Sequence, residues 1–290
     1  MTHFVRFWGV RGSVPCPGPA TAEVGGNTSC VEVRLGGERI LLDGGTGLRQ
    51  LGLRQAGLPL EATLLFGHLH WDHIQGVPFC APLYHPQSRV RLVGPQGLLR
   101  ALATQMSGGP TFPIGLEALS AQLAVEPIDA GARFYIGAVE VATTALRHPG
   151  GVIGYRLTAH GRSVVYACDV EHAAEGLDAP LVELARGADL LVYDAQYLPE
   201  EYPAKVGWGH STFERGAALA RAAGVGQLAL THHDPSRTDA AVAELEARAR
   251  ALFPRTVAAR EGLTLRLDAD EGLALAPAGD PGYDGPTLER

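Results

Sequence analysis

The stretch Phe66-Gly67-His68-Leu69-His70-Trp71-Asp72-His73 decides both the fold and the chemistry that this chain can support. Its last six positions hold three imidazoles and one carboxylate. The apolar run at residues 63–66 predicts a buried strand, and Gly67 predicts the end of that strand. The polar cluster should therefore lie on the loop at the strand's carboxyl end, which is where open α/β sheets place their sites.

This cluster has the composition of a transition-metal site. His68 and His70 are two residues apart and can converge on one cation, while Asp72 and His73 can face a second one. Neutral imidazole and carboxylate are ligands of Zn²⁺, Mn²⁺ or Fe²⁺ rather than of Ca²⁺. The alternative is a polar loop with solvated histidines. A single histidine would favour that reading, whereas the pattern H-x-H-x-D-H favours metal binding.

The composition predicts a soluble globular protein. The chain has 290 residues, of which 46% are hydrophobic and 19% are charged. No apolar run approaches the length of a membrane span, and the chain begins with a strand-like segment instead of a signal sequence. The four cysteines show no C-x-x-C spacing, so we expect them to be reduced. These features predict a cytoplasmic protein with no membrane partner, and they leave a homodimer open.

The net charge bears on the partner. A formal charge of −7 argues against a protein that binds a long nucleic acid through diffuse electrostatics. A local cationic site for a small anion remains compatible with this charge. We therefore expect a small phosphodiester or nucleotide as the partner, and no long nucleic acid.

Hydrophobic periodicity and turn residues predict alternating strand-rich and helical segments without a linker. This pattern favours two packed sheets with helices outside, in one domain over residues 1–276 with a tail at 277–290. The Gly- and Pro-rich segment at residues 9–27 should lie over the mouth of the site. Residues 107–115 are either a lid or a connector. The predicted strands are 4–8, 28–35, 39–42, 63–66, 89–93, 122–127, 133–136, 139–146, 152–158, 163–167, 190–193, 227–230 and 262–267, and the predicted helices are 46–56, 73–80, 96–106, 179–186, 213–223 and 238–252.

Polar groups recur at the ends of these predicted strands. After the first cluster come His148, Asp169 and His232, each following an apolar run. His148 or His232 alone would more often be structural, and their shared position relative to strands is what indicates ligands. If the sheet edges align, five histidines and two carboxylates converge, which is enough for two metal ions. His233 remains ambiguous between a supporting role and none.

The pattern resembles the metallo-β-lactamase superfamily, and within it the branch that contains ribonuclease Z and related phosphodiesterases. The similarity extends from Phe4 to about Arg237. Besides H-x-H-x-D-H it rests on the following motifs: Gly26-Asn27-Thr28-Ser29, Leu42-Asp43-Gly44-Gly45, His148 followed by Gly154-Tyr155-Arg156, Tyr166 to Asp169, Leu191 to Tyr197, Gly209-His210-Ser211-Thr212 and Leu230-Thr231-His232.

The resemblance implies an αββα four-layer sandwich with a dinuclear zinc site. It assigns His68, His70 and His148 to one ion, it assigns Asp72, His73 and His232 to the other, and it makes Asp169 the bridge. It also implies that Asp194 and His210 form a pair that delivers a proton. We expect Asp43 to orient a ligand histidine, and Asn27, Arg156 and His233 to lie near the substrate or behind the ligands.

One feature departs from ribonuclease Z. That enzyme carries a long arm that grips transfer RNA, commonly between the strands that correspond to residues 152–158 and 163–167. Here a few residues join these strands, and this short connection favours a small phosphodiester over transfer RNA.

These features together predict a metal-dependent hydrolase in which two divalent ions hold a bridging hydroxide beside Asp72 and Asp169. The expected ion is zinc, with manganese or iron as alternatives. Phosphodiester hydrolysis is the favoured activity. A lactonase or other acyl hydrolase on the same metal centre is the rival enzyme, and a non-catalytic metal- or nucleotide-binding sensor is the rival of another class.

Overall fold

The computed structural model describes residues 3–55 and 57–267 and the backbone of the strand Ala274–Leu275. The predicted tail at 277–290 lies outside the described residues. None of the helices in the described part of the chain has the length and hydrophobicity needed to cross a membrane.

In the described part of the chain, fifteen strands form two sheets. The first sheet has the order β15-β14-β1-β2-β3-β4-β5-β6, and the second has the order β13-β12-β11-β10-β9-β8-β7. The strands are β1 Phe4–Gly9, β2 Cys30–Leu35, β3 Glu38–Leu42, β4 Glu61–Leu65, β5 Arg89–Gly94, β6 Gln122–Pro127, β7 Arg133–Ile136, β8 Val139–Leu146, β9 Val152–Ala159, β10 Arg162–Ala167, β11 Leu190–Asp194, β12 Gln227–Thr231, β13 Thr256–Ala258, β14 Thr264–Arg266 and β15 Ala274–Leu275.

Each sheet combines an antiparallel part and a parallel part. The strands β3, β4, β5 and β6 are parallel in the first sheet, and β10, β11, β12 and β13 are parallel in the second. The carboxyl ends of parallel neighbours meet at one edge of a sheet. The residues that follow β3 and β4 therefore lie at one edge of the first sheet. Those that follow β10, β11 and β12 lie at one edge of the second sheet.

Three apolar cores divide the molecule into four layers. The first core lies between the sheets and takes residues from both, such as Val33 and Ile40 from one and Tyr155 and Val192 from the other. A second core packs the outer face of the second sheet against helices, and a third does the same for the first sheet. The helices are α1 Gly47–Arg54, α2 Trp71–Ile74, α3 Leu98–Gln105, α4 Ala179–Ala185, α5 Phe213–Ala223 and α6 Asp239–Leu252. The predicted αββα sandwich is confirmed.

Two of the predicted helices differ from the structure: Thr46, the first residue predicted in one of them, precedes α1, and the helix predicted at 73–80 is shorter. Thr46 does not cap α1, because its hydroxyl accepts the amide of Thr28 at 2.8 Å and its own backbone is already helical. The helix predicted at residues 73–80 begins earlier, at Trp71, and ends at Ile74. A separate turn, Val77–Phe79, follows it, because Pro78 cannot donate a hydrogen bond within a continuing helix.

Candidate metal centre

The predicted ligands come together where the carboxyl ends of strands from both sheets meet. The loop after β4 carries His68 to His73, and the residues after β8, β10 and β12 supply the others. Two groups form whose ligand atoms lie within 4.8 Å of one another. The first contains His68, His70, His148 and Asp169, and the second contains Asp72, His73 and His232.

Asp169 faces both groups with different oxygens. Its Oδ2 lies 3.5 Å from His68 Nε2 and 3.7 Å from His148 Nε2. Its Oδ1 lies 3.1 Å from His73 Nε2 and 3.0 Å from His232 Nε2. This is the arrangement that a carboxylate shared between two cations requires.

The buried imidazoles fit a metal ion. Within the described residues, the Nε2 atoms of His68, His73 and His232 are buried and have no hydrogen-bond partner. A buried polar atom without a partner costs about 1–3 kcal/mol, so these nitrogens favour a bound ligand. Their chemistry, imidazole nitrogen beside carboxylate oxygen, suits a transition-metal cation. His70 is exposed, so solvent reaches the first group from that side.

The carboxylates set the electrostatics of the centre. Burial opposes a charged His73, yet Asp169, Asp72 and Asp43 outweigh it and raise the pKa of His73 well above its usual value. Burial likewise opposes a charged His232, and Asp169 together with Asp72 raises the pKa of His232 to about 9. These shifts show that the site attracts positive charge, which is the property that a divalent cation would use.

Two ligand histidines are oriented from behind. Asp43 Oδ2 lies 2.8 Å from His73 Nδ1 and also accepts the hydroxyl of Tyr166 at 2.7 Å. His148 Nδ1 donates to the carbonyl of Gly209 at 2.7 Å. Such bonds fix the ring and leave Nε2 facing the centre. Asp43, which the sequence predicts to orient a ligand histidine, thus contacts the predicted ligand His73.

Asp194 and His210 form a buried pair beside the two groups. The His210 Nδ1 and Asp194 Oδ2 atoms are 2.8 Å apart, and the His210 ring stacks on His232 at 4.9 Å between centroids. Asp194 Oδ1 accepts the backbone amide of Gln196 at 3.0 Å. Asp169, Asp194, His210 and His232 form a third combination close enough to hold a metal. Because Asp194 engages Nδ1 of His210, the other ring nitrogen, Nε2, is the one left for a further partner.

Three of the residues predicted to support the site are engaged elsewhere. Arg156 donates to the carbonyls of Leu184 and Arg186, both at 2.8 Å, so its guanidinium covers the end of α4 instead of the metal centre. Asn27 donates to Glu261 at 3.0 Å. The remaining residue, His233, is buried with Nε2 at 3.0 Å from the Ala259 carbonyl, and burial lowers its pKa to about 3.

Two segments contribute groups that the sequence did not single out. The amide of Ser13 donates to Asp72 Oδ2 at 2.8 Å, and a Cβ on Gly12 would lie 2.5 Å from the His232 ring. Glu171 accepts the amide of Gly209 at 2.9 Å, and Gly209 in turn binds His148. For the contacts of Gly12 and Ser13, the sequence offered only the expectation that residues 9–27 cover the site. For the contact between Glu171 and Gly209, it offered no signal.

Comparison with known proteins identifies the family. A model described as Beta-lactamase superfamily domain matches residues 38–233. The chain belongs to this superfamily. Superfamily membership and the observed fold confirm the predicted resemblance, and they show that the chain is a metal-dependent hydrolase. The non-catalytic sensor is therefore excluded.

Relatives within the superfamily include ribonuclease Z. The ribonuclease Z of Mycobacterium sp. strain KMS is 32% identical over 269 residues, covering 85% of this chain and 92% of its own. Among solved structures, a metallo-β-lactamase fold protein from Bacillus subtilis superposes with a TM-score of 0.69 at 18% identity, covering 91% of this chain and 98% of its own. The short form of human tRNase Z gives 0.66 at 21% identity, covering 92% and 100%.

These relatives correct one prediction. The expectation that a long nucleic acid is not a partner is wrong, because superfamily relatives that match most of this chain are ribonucleases. The physical reason is that net charge describes the whole surface, whereas a phosphate group is bound locally by the metal centre and its neighbours. The short connection between β9, which ends at Ala159, and β10, which begins at Arg162, does not by itself exclude a long nucleic acid.

Proposed function

We propose that this chain is a phosphodiesterase that holds two divalent metal ions and cleaves phosphodiester bonds in substrates that contain nucleotides. The observation that carries the proposal is the Asp194–His210 pair, which lies against the predicted ligands with Asp194 on the Nδ1 side of the His210 ring. An acid next to the metals is what departure of an alkoxide from phosphorus requires. The metal-dependent hydrolases of this superfamily and the ribonuclease Z relatives support this reading.

Different residues would bind the two metal ions. His68, His70 and His148 would hold one ion, Asp72, His73 and His232 the other, and Asp169 would be shared, as its two oxygens suggest. Bound divalent ions would lower the pKa of a water molecule and neutralise charge on the phosphate. The ligand set favours zinc, and manganese and iron are the alternatives.

The chain's own groups then move the proton. His210 would hold a proton on Nε2 and deliver it to the leaving oxygen. Asp194 accepts from Nδ1 of the same ring, which stabilises the charged imidazolium and keeps it oriented. Asp43 and Gly209 hold His73 and His148 in place while charge develops on the phosphate.

The His210→Ala variant tests this role. With zinc restored to the protein, we expect metal content to equal that of the parent and turnover of a dinucleotide to fall by 10²–10⁴, the scale of general acid catalysis. The loss on bis(p-nitrophenyl) phosphate should be much smaller, because p-nitrophenolate leaves without protonation. The measurement is the ratio of the two rates, determined together with metal analysis.

The matched control is His85→Ala, which removes a histidine outside all three ligand groups. It should match the parent on both substrates. A His210→Ala variant that hydrolyses the dinucleotide as fast as the parent would refute the assignment. Faster hydrolysis of a homoserine lactone than of any phosphodiester by the parent would favour the acyl hydrolase instead. The single domain over residues 1–276, the cytoplasmic location and the homodimer stay predictions.

A further inference from the structure

Two exposed tryptophans lie next to predicted metal ligands in the chain, Trp71 at the start of α2 and Trp208 on the loop before His210. Trp71, with 61% of its side chain exposed, stands between His70 and Asp72, and Trp208, with 59% exposed, stands two residues before His210. The third tryptophan, Trp8, is buried. Exposed apolar rings beside a candidate site are available to contact a ligand.

Trp71 borders a cavity of about 800 Å³ next to the metal loop. Phe79 and Phe112 form another part of its lining, with their rings edge to face at 5.8 Å between centroids. Arg100 and Thr104 add a cation and a hydroxyl to an otherwise largely apolar lining. A cavity of this size and composition accommodates a planar aromatic group that also presents hydrogen-bonding edges.

Trp208 carries a cation on its ring and is held in place. The ammonium of Lys205 lies 4.1 Å from the centre of the Trp208 ring. Glu171 accepts the amides of Gly207 at 2.7 Å and Gly209 at 2.9 Å, one on each side of Trp208. The ring therefore sits on an anchored loop whose next residue also binds the His148 side chain.

We propose that Trp71 and Trp208 are stacking sites for unpaired nucleobases on the two sides of the phosphodiester that the centre cleaves. The substrate would then be a single-stranded segment of nucleic acid, with Lys205 and Arg100 close to neighbouring phosphates. Aromatic rings paired with cations are the combination that binds single strands, because every base has a face to stack and a phosphate beside it. An acyl chain would use the cavity near Trp71 and would leave the Trp208–Lys205 pair without a role.

This inference rests on the proposed phosphodiesterase function, and binding can test it separately from cleavage. The zinc-loaded protein is titrated with a short single-stranded oligoribonucleotide and with the same oligomer lacking bases at its central positions. We expect the base-containing oligomer to quench tryptophan fluorescence and to bind at least tenfold more tightly than the abasic one. We also expect it to inhibit hydrolysis of bis(p-nitrophenyl) phosphate at correspondingly lower concentration.

Substitutions assign the effect to the two rings. Trp71→Ala and Trp208→Ala should each weaken oligomer binding by about tenfold, the scale of one lost stacking contact, while Trp71→Phe and Trp208→Phe restore most of it. Tyr135→Ala is the matched control, because that ring is 66% exposed on β7 and is not part of the centre. Thermal unfolding of each variant confirms that it is folded.

The outcomes separate the two ideas. Equal affinity for the base-containing and abasic oligomers, or alanine variants that bind as the Tyr135→Ala variant does, would overturn the stacking sites. Equal affinity for an RNA duplex would do the same, because paired bases are not available to stack. Absence of bis(p-nitrophenyl) phosphate hydrolysis with intact oligomer binding would instead overturn the proposed function.

Discussion

Asp43, Asp169 and His232 each adopt a left-handed backbone conformation, with φ between 57° and 61°. Asp43 directly follows β3, His232 directly follows β12, and Asp169 is the second residue after the end of β10. For a residue with a side chain this conformation costs about 1–2 kcal/mol. In this conformation Asp169 and His232 contact each other at 3.0 Å within the centre, and Asp43 contacts His73 from behind. Strain of this kind persists where surrounding contacts determine the conformation, and it accumulates at functional sites.

Gly209 offers a test at the scale of one atom. Its φ is +87°, and a Cβ added there would lie 2.3 Å from His148 Nδ1, closer than any contact allows. Gly209→Ala must therefore displace the His148 ring, whose Nδ1 now binds the Gly209 carbonyl at 2.7 Å. We expect metal affinity and turnover to fall by 10–100-fold, the usual effect of losing an orienting contact behind a ligand.

Gly207→Ala provides the matched control. Its φ is +86°, so it carries the same backbone strain, but no atom lies within 4 Å of the added Cβ. Metal titration and turnover should stay near the parent in that variant. Equal losses in both variants would show that the strain, and not the contact with His148, is responsible.

The proximity of the seven predicted ligands could be anticipated from the sequence, because His68 to His73 follow one apolar run and His148, Asp169 and His232 follow three others. The placement of Asn27 and Arg156 could not be predicted, because their partners, Glu261 and the end of α4, are distant in sequence. The hydrogen bonds that connect Glu171 through Gly209 to His148 could not be predicted either, because a glycine near a turn gives no indication of what its carbonyl binds.

At the scale of elements, periodicity predicted the strands described in the two sheets except β13 and β15, with ends displaced by at most two residues. A continuous apolar run is a strong signal, because a strand buried on both faces tolerates few polar residues. The helix starts were also predicted to within two residues, and the largest error is at α2, which ends at Ile74 instead of residue 80. The hydroxyl of Thr46 is used by Thr28, whereas Thr212 caps α5 by accepting the amide of Arg215 at 3.4 Å.

The start of α4 gives a prediction about stability alone. Asp178 caps this helix by accepting the amide of Leu181 at 3.1 Å, and it lies outside the ligand groups. Asp178→Ala should lower the free energy of unfolding by about 1 kcal/mol, because the amide of Leu181 loses its partner. Urea unfolding measures the change.

Asp178→Asn can still accept that hydrogen bond, so its free energy of unfolding should remain within a few tenths of a kcal/mol of the parent. Metal content should be unchanged in both variants. An alanine variant as stable as the parent would show that the cap contributes nothing.

At the scale of the whole molecule, the two sheets are joined by an apolar core and, at one edge, by a cluster of charged groups. Asp72, His73 and His68 come from the first sheet's loop, while Asp169 and His232 follow strands of the second. Without a cation, the carboxylates must be balanced by protonated histidines, as the raised pKa values of His73 and His232 indicate. Metal binding should therefore stabilise the contact between the sheets as well as supply the chemistry.

Metal removal tests this coupling. We expect the chelated protein to unfold at a lower temperature than the zinc-loaded protein, because a ligand that binds only the folded state adds about 2.7 kcal/mol when present at one hundred times its dissociation constant. Thermal unfolding with and without a chelator measures the difference.

Asp169→Ala supplies the control: it removes the carboxylate that faces both groups, so zinc should shift its unfolding temperature far less than it shifts that of the parent. Hydrogen exchange should then locate the loosening in the amides after β4, β10 and β12, with the centres of those strands unaffected. If the chelated and loaded parent proteins unfold at the same temperature, the charged edge does not bind zinc tightly enough to join the sheets, and the dinuclear centre is refuted together with this coupling.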